Sequence, residues 1–230
     1  MYFSISERAA AAGVTHALLL IVQGMIVSPS RDEFKNKCAK TVAGGIPNNT
    51  DKYNLGMREI ISKTTGKEVF LTAGENLRNN FSERGFRSIN NVVDAYNEAA
   101  YYFGLGIGGH DVSGARNDAH LEITLSSNED TIIPLFDKKR KKINPGELIY
   151  KLEDKPIAWI GSKDVDSDEF RIENATRTCC FVIIGHSSVT GTDLYTVSAR
   201  IRRNLIESSY DVDSLKFDSQ EFYYNTRPLS

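Results

Sequence analysis

Residues 90–111 read NNVVDAYNEAAYYFGLGIGGHD. Val92, Val93, Tyr96, Ala99, Ala100 and Phe103 recur at helical spacing and make one apolar face, with Asp94, Asn97 and Glu98 off it. Asn90 or Asn91 caps the start, and Gly104 stands where a left-handed residue ends a helix. Gly104, Gly106 and Gly109 also fit G-x-G-x-x-G, the spelling of a dinucleotide loop. Such a loop needs a strand before the glycines and a helix after them, so that the pyrophosphate meets a helix N-terminus. Here a helix comes first, and HDVSGARNDAHLEITLS, a loop and then a strand, comes next. The C-terminal end of a helix carries partial negative charge and disfavours phosphate. The glycines therefore read as a helix stop and a tight helix-to-strand turn, and no nucleotide cofactor is expected. A run without side chains also lets a ligand approach the backbone, with His110 and Asp111 at the rim.

Before this stretch the pattern is mostly helical. SISERAAAA predicts a short helix capped by Ser4 or Ser6 and stopped by Gly13, and THALLLIVQ a core strand. SRDEFKNKCAKTVAGG predicts a helix capped by Ser30, IPNNTDKYN a loop, and MREIISKTTG and TAGENLRNNFSERG two more helices ended by glycine. After it come the short strand-like runs AHLEITLS, DTIIPLF, ELIYKLE, PIAWIG and RTCCFVIIG, and a last helix, GTDLYTVSARIRRNLIESS. The tail from Asp211 is acidic and aromatic and takes no predicted element. A helix-rich first half and a strand-rich second half predict an α+β fold with a mostly antiparallel sheet rather than a doubly wound one.

A length of 230 residues suits one large domain or two small lobes sharing a core, and 40% hydrophobic with 25% charged residues is ordinary globular composition. A net charge of −2 excludes a global positive field, so any nucleic-acid contact must use a local patch. The odd cysteine count (Cys38, Cys179 and Cys180, with no C-x-x-C) argues against a disulfide framework and for a reduced, cytoplasmic protein with buried strand cysteines. The apolar run Ala17–Val22 is too short for a membrane helix and is preceded by Glu7, Arg8 and His16, so a buried strand is expected and no membrane partner.

Several segments carry candidate chemistry. Lys138, Lys139, Arg140, Lys141 and Lys142 are either a solvated hairpin loop or a contact for a phosphate backbone. Trp159 is either core or a stacking wall. Asp164, Asp166 and Asp168 spell D-x-D-x-D, but the glycine and glutamate of a calcium loop are missing, and the histidines lack metal-ligand spacing, so no metal is expected. Thr176 and Thr178 flank Arg177 at a strand entrance, where two hydroxyls on one face can line a pocket or serve a turn. No G-x-S-x-G elbow is present.

INNVVDAYNEAAYYFGLGIGGHDV, followed by GELIYKLEDKPIAWIGSKDVDSDEFRIENATRTCCFVIIG, resembles the B3/B4 domain of the phenylalanyl-tRNA synthetase β subunit. It is similar above all to the freestanding bacterial B3/B4 proteins. The resemblance implies a single B3/B4-like domain over 1–230, matching best over 57–185, with 1–56 supplying its first strand and helix and 211–230 a tail. It implies tRNA or aminoacyl-tRNA as partner, and a pocket floored by Gly108, Gly109, His110 and Asp111. Thr176, Arg177 and Thr178 would form the facing wall, Trp159 and Asp164 would contact substrate, and Asn97 would tie the helix to the turn. Bacterial synthetase editing domains carry a histidine in the turn and a glutamate in the last strand. Here those positions hold Gly108 and Val182 or Ile184, and His110 is displaced by two. The activity implied is hydrolysis of mischarged aminoacyl-tRNA in trans, with His110 and Asp111 as catalytic candidates. Backbone amides of the glycine turn would face the developing oxyanion. The rival expectations are a non-catalytic tRNA- or RNA-binding module, and an amino-acid or small-molecule binder that reuses the pocket.

Overall fold

The computed structural model describes residues 1–47, 50–68 and 71–224. In chain order these form β1 (Tyr2–Ile5), α1 (Glu7–Ala12), β2 (His16–Gln23), α2 (Asp32–Ala43), α3 (Lys52–Thr65), α4 (Ala73–Arg84) and α5 (Asn91–Phe103). Then follow β3 (Gly109–Asp111), β4 (His120–Leu125), β5 (Thr131–Ile132), β6 (Lys141–Lys142), β7 (Leu148–Leu152), β8 (Lys155–Ile160), β9 (Asp164–Asp166), β10 (Thr178–Gly185), α6 (Gly191–Ser208) and β11 (Lys216–Tyr223). This is an α+β fold. One sheet has the order β1-β4-β7-β8-β9, a second β11-β2-β10-β3, and β5 and β6 form a ribbon of their own. Only β1 and β4 pair in parallel among these. No helix of the described residues is long and apolar enough to cross a membrane.

The predicted helix of residues 90–111 forms with its caps. Asn90 Oδ1 accepts from the amides of Val92 and Val93 at 3.1 and 2.8 Å, and Gly104 is left-handed at φ 70°. The last turn of α5 is also held from outside. Arg78 of α4 is buried, and its guanidinium donates to the carbonyls of Tyr101 and Tyr102 at 2.8 and 2.9 Å, which a helix end leaves without internal partners. A Cβ at Gly104 would strike that guanidinium. The glycine turn thus leaves a rigid helix end at a fixed place.

Asp94 and Glu98, expected outside the apolar face, are buried. The reason is that α2, α4 and α6 all pack on α5, so more than one side of it is enclosed. Each carboxylate has partners there. Asp94 accepts from the hydroxyls of Ser30 (2.6 Å) and Ser88 (2.5 Å) and from the Ile89 amide. Glu98 takes a two-point ion pair from Arg200 at 2.8 and 2.6 Å and a hydrogen bond from Asn204. Burial alone would raise the Glu98 pKa, but the Arg200 bonds and charge outweigh it and hold the carboxyl below its ordinary value.

Other local expectations shift. Ser30 does not cap α2: Arg31 is at that position and the Ser30 hydroxyl goes to Asp94. Ser6 caps α1, while Ser4 belongs to β1, a strand hidden in the segment read as a helix. The loop IPNNTDKYN gives way to α3 at Lys52, with residues 48 and 49 outside the described chain. The tail contributes β11, which pairs antiparallel with the whole of β2, so that Lys216 meets Gln23 and Tyr223 meets His16. Residues 225–230 lie outside the described chain. Cys38, Cys179 and Cys180 are free and buried.

Candidate functional site

The two larger sheets meet at the glycine turn. From Gly104 the chain passes through Leu105–Gly108 into β3, an edge strand of the second sheet that lies antiparallel to β10, with Gly109 opposite Phe181 and His110 opposite Cys180. β9, the edge strand of the first sheet, carries Asp164 opposite Ile160 and Asp166 opposite Ala158. The turn holding Asp164 is organised by Glu147. Its carboxylate accepts from Trp159 Nε1 at 2.5 Å and from the amide and hydroxyl of Ser162 at 2.8 and 3.0 Å.

Between turn and strand lies a partly open cavity of about 130 Å³. Its floor is Leu105–Gly108 and its walls include Met57, Ile61, Tyr150 and Trp159, with Asp164 and Asp166 projecting from β9. Asp164 and Asp166 are two residues apart on a strand and so share a face. Trp159 is buried in a small apolar cluster with Ile132, Ile143 and Ile149 and presents part of its surface to the cavity. The amides of Gly106, Ile107 and Gly108 make no hydrogen bond with the described residues.

A second cleft, of about 690 Å³, opens on the other side of Asp166 and is lined by Val93, Tyr96, Asn97, Gly109, Phe136 and Phe170 among others. Asp166 is the one described residue that lines both spaces. Gly108 is pressed against it: an added Cβ would lie 2.7 Å from Asp166 Oδ1. Only a glycine lets carboxylate and backbone come so close.

His110, expected at the rim, is wholly enclosed. β3 is paired on one side and turns His110 inward against Tyr150, where the two rings meet edge to face at 6.4 Å. Its Nε2 is 3.9 Å from Asp166 Oδ1, and neither ring nitrogen has a hydrogen-bond partner among the described residues. Burial lowers the His110 pKa against the pull of Asp166, which keeps the ring neutral. Desolvation raises the Asp166 carboxyl, with His110 opposing, and Asp164 is pushed up to about 6 by desolvation and then by the charge of Asp166.

Asp111 faces elsewhere. Its Oδ1 accepts from the amide and hydroxyl of Ser113 at 2.8 and 2.6 Å, and its Oδ2 from the Thr176 hydroxyl at 2.7 Å. Arg177 is exposed and its guanidinium donates to the carbonyls of Asn174 and Thr176. Thr178 starts β10. Thr176, Arg177 and Thr178 therefore clasp the β3 end with Asp111 and line neither space. Asn97 lines the second cleft, and among the described residues its side chain makes no hydrogen bond to the turn. Lys138–Arg140 lie on the exposed β5–β6 connection, and Lys141 and Lys142 form β6 itself. There Lys141 pairs with Asp137 at 2.7 Å and Arg140 approaches Glu169 at 3.4 Å, while Lys138, Lys139 and Lys142 have no ion pair with described residues. No group of three or more potential metal ligands occurs among the described residues.

Asp166, weighed in the sequence only as part of a calcium-loop spelling, was not expected in the pocket. Its signal was the alternation of Asp164 and Asp166, which places two acids on one face once the segment is read as a strand.

The profile of the B3/4 domain matches residues 58–203, well over half of the chain. The chain belongs to the B3/4 domain family. Among solved structures, this B3/4 domain is similar to an N-terminal fragment of the phenylalanyl-tRNA synthetase beta-subunit from Pyrococcus horikoshii. The TM-score is 0.49 at 9% identity, covering 96% of this chain and 53% of that one. The chain thus spans about half the length of that fragment. No curated protein matches this B3/4 domain.

Proposed function

We propose that this B3/4 domain hydrolyses mischarged aminoacyl-tRNA in trans, with the aminoacyl group in the cavity between the glycine turn and β9. The observation that carries this reading is the carboxylate pair Asp164 and Asp166 in an otherwise largely apolar cavity against a side-chain-free turn. An aminoacyl ester offers a free α-ammonium, and Asp164 at the mouth supplies its counter-charge. Phosphate is repelled by the same charges, so the acyl end enters and the polynucleotide stays outside. Asp166 then holds a water against the ester carbonyl. The water oxygen bonds to the carbonyl carbon, the bond from that carbon to the ribose oxygen breaks, and the water proton passes by way of Asp166 to the departing ribose oxygen. The unengaged amides of the glycine turn face the oxyanion. His110 stands behind Asp166 as a positioning residue, and Asp111 fastens the turn. The Lys138–Lys142 run supplies backbone contacts.

The test is release of amino acid from a panel of correctly and incorrectly charged tRNAs. Wild type releases at least one, and Asp166→Asn lowers the rate by about 100-fold or more. A wild-type protein that leaves every charged tRNA intact sinks the reading.

The enclosure of His110 favours a second reading, a tRNA-binding module without turnover. Binding that weakens steeply with salt, without release of amino acid, identifies it. Salt-independent binding of a free amino acid identifies instead a small-molecule binder.

A further inference from the structure

The face built on α2 differs from one end to the other. At the C-terminal end, the last turns of α2 and α4 and the side of α5 enclose an apolar groove of about 770 Å³. Its floor is Tyr101, stacked on Phe81 at 5.9 Å, with Phe86 edge-on to Phe81 at 5.7 Å. The Tyr101 hydroxyl donates to the Val42 carbonyl at 3.2 Å and ties the floor to the end of α2. Ile46 lines the groove and is 51% exposed. Lys40, Arg84 and Arg87 are exposed, and each is next in sequence to a lining residue, Ala39, Gly85 and Phe86. None of the three has an ion pair with described residues, and Glu83 is the single acid on the last turn of α4. Lys40 and Arg84 also suit the negative ends of their helices, whereas Arg87 lies beyond any helix.

The N-terminal end of the same helix has the opposite character. The Arg31 amide donates to the Ser208 carbonyl at 3.0 Å, which brings the chain after α6 to the start of α2. There Tyr210 is 71% exposed, and Asp211 and Asp213 are exposed without ion pairs to described residues. The other charges of this end cancel locally, Arg31 with Glu33 at 3.7 Å and Lys35 with Asp32 at 3.0 Å. Tyr210 stands near Lys35, which shares one stripe of α2 with Ala39 and Val42 at i, i+4 and i+7. An exposed tyrosine flanked by acids and an aromatic-floored groove flanked by cations thus stand at opposite ends of a 12-residue helix, about 18 Å long. Such a face is complementary to itself, because a two-fold axis across α2 lays each end on the other. We infer that two copies of this chain pair through α2, the two helices antiparallel, with Tyr210 of each in the groove of the other. Asp211 and Asp213 then meet the cations of the opposite copy, and the helix dipoles run head to tail. Charge decides for a second copy over a nucleic acid, which the acidic end would repel. The pairing uses no residue that lines the cavity or the second cleft, and it does not depend on the deacylase reading.

The test is sedimentation equilibrium of the full chain over a wide range of concentration. Wild type is expected to approach the mass of two chains, with a dissociation constant that rises with salt. Tyr210→Ala, at an exposed site, raises that constant about tenfold or more. Two charge reversals then fix the geometry. One variant carries Lys40→Glu with Arg87→Glu, the other Asp211→Lys with Asp213→Lys. Each alone sets like charges against one another at both ends of the face and is expected to be monomeric. Mixed in equal amounts, the two regain opposite charges at both ends, and the mass of two chains returns. Only folded chains can pair, so this rescue separates a lost contact from a lost fold. A wild type with the mass of one chain throughout overturns the proposal. So does a dimer that persists in both reversed variants, or a mixture that stays monomeric.

Discussion

His110 Nε2 stands 3.9 Å from Asp166 Oδ1, inside the protein, with both ring nitrogens unpartnered among the described residues. A buried imidazole in that state is a poor device for stability: each unsatisfied polar group costs on the order of 1–3 kcal/mol. His110→Met keeps the volume and removes both nitrogens. Its unfolding free energy at pH 7 is expected to equal or exceed that of wild type, by urea titration. The folded His110 pKa is lowered, so wild type loses stability as pH falls below the unfolded value of about 6.5. The variant lacks that loss. Deacylation goes the other way. A neutral ring can act on Asp166 only by packing, so His110→Met is expected to lower kcat for deacylation while KM and the melting temperature stay near wild type. An unchanged kcat sinks the positioning role.

The neighbouring glycines separate site from scaffold. The atoms nearest a Cβ at Gly108 belong to the Asp166 carboxylate, the first at 2.7 Å, whereas one at Gly109 meets Tyr96 at 2.8 Å and Phe181 at 3.0 Å. Gly108→Ala is expected to lower deacylation about tenfold or more, by displacing Asp166, while the melting temperature changes little. Gly109→Ala forces core rings apart and is expected to cost about 1–3 kcal/mol in denaturant. The opposite order of effects would place the site elsewhere.

The Glu98–Arg200 pair links α5 to α6, with Glu98 buried and Arg200 largely covered, at 1% and 14% side-chain exposure. Arg200→Ala leaves a buried carboxylate without its cation and is expected to cost about 3–5 kcal/mol at pH 7, read from urea unfolding. Wild-type Glu98 has a lowered folded pKa, so its contribution is full above the unfolded value and fades as pH drops through the folded one. In Arg200→Ala the carboxyl pKa rises, and the variant becomes more stable relative to wild type on acidification. A constant difference from pH 7 to pH 4 contradicts this.

What could be read from the chain follows the range of the interactions. The α5 helix, its Asn90 cap and its Gly104 stop depend on neighbours within four residues, so periodicity and cap chemistry suffice for them. Asp94 and Glu98 were placed on a polar face because their partners Ser30 and Arg200 are 64 and 102 residues away. β11 escaped notice because KFDSQEFY is an edge strand, with polar residues throughout and its pairing set by β2. The site itself is the least local feature. His110 and Asp166 meet only because β3 and β9 are edges of different sheets. Spacing within a single segment holds no trace of that meeting, and of the four residues expected to floor a pocket only Gly108 lines the cavity.

The acid pair sets the pH dependence of substrate binding. Asp164 is pushed up to about 6 by desolvation and the charge of Asp166, so its own negative charge is gained only as pH rises through about 6; desolvation raises the Asp166 carboxyl as well. The two carboxylates share one site, and the loss of their protons belongs to the pair. An α-ammonium needs the ionised pair, so the KM for a charged tRNA is expected to rise as pH falls from 7 to 5. Asp164→Asn removes one charge and the repulsion it exerts on Asp166. The variant should show a higher KM at pH 7, a weaker dependence of KM on pH below 6, and a kcat close to wild type, because Asp166 remains to hold the water. Steady-state deacylation at half-unit pH steps measures all three. A KM that stays flat from pH 7 to 5 in wild type rules out an ammonium held by Asp164.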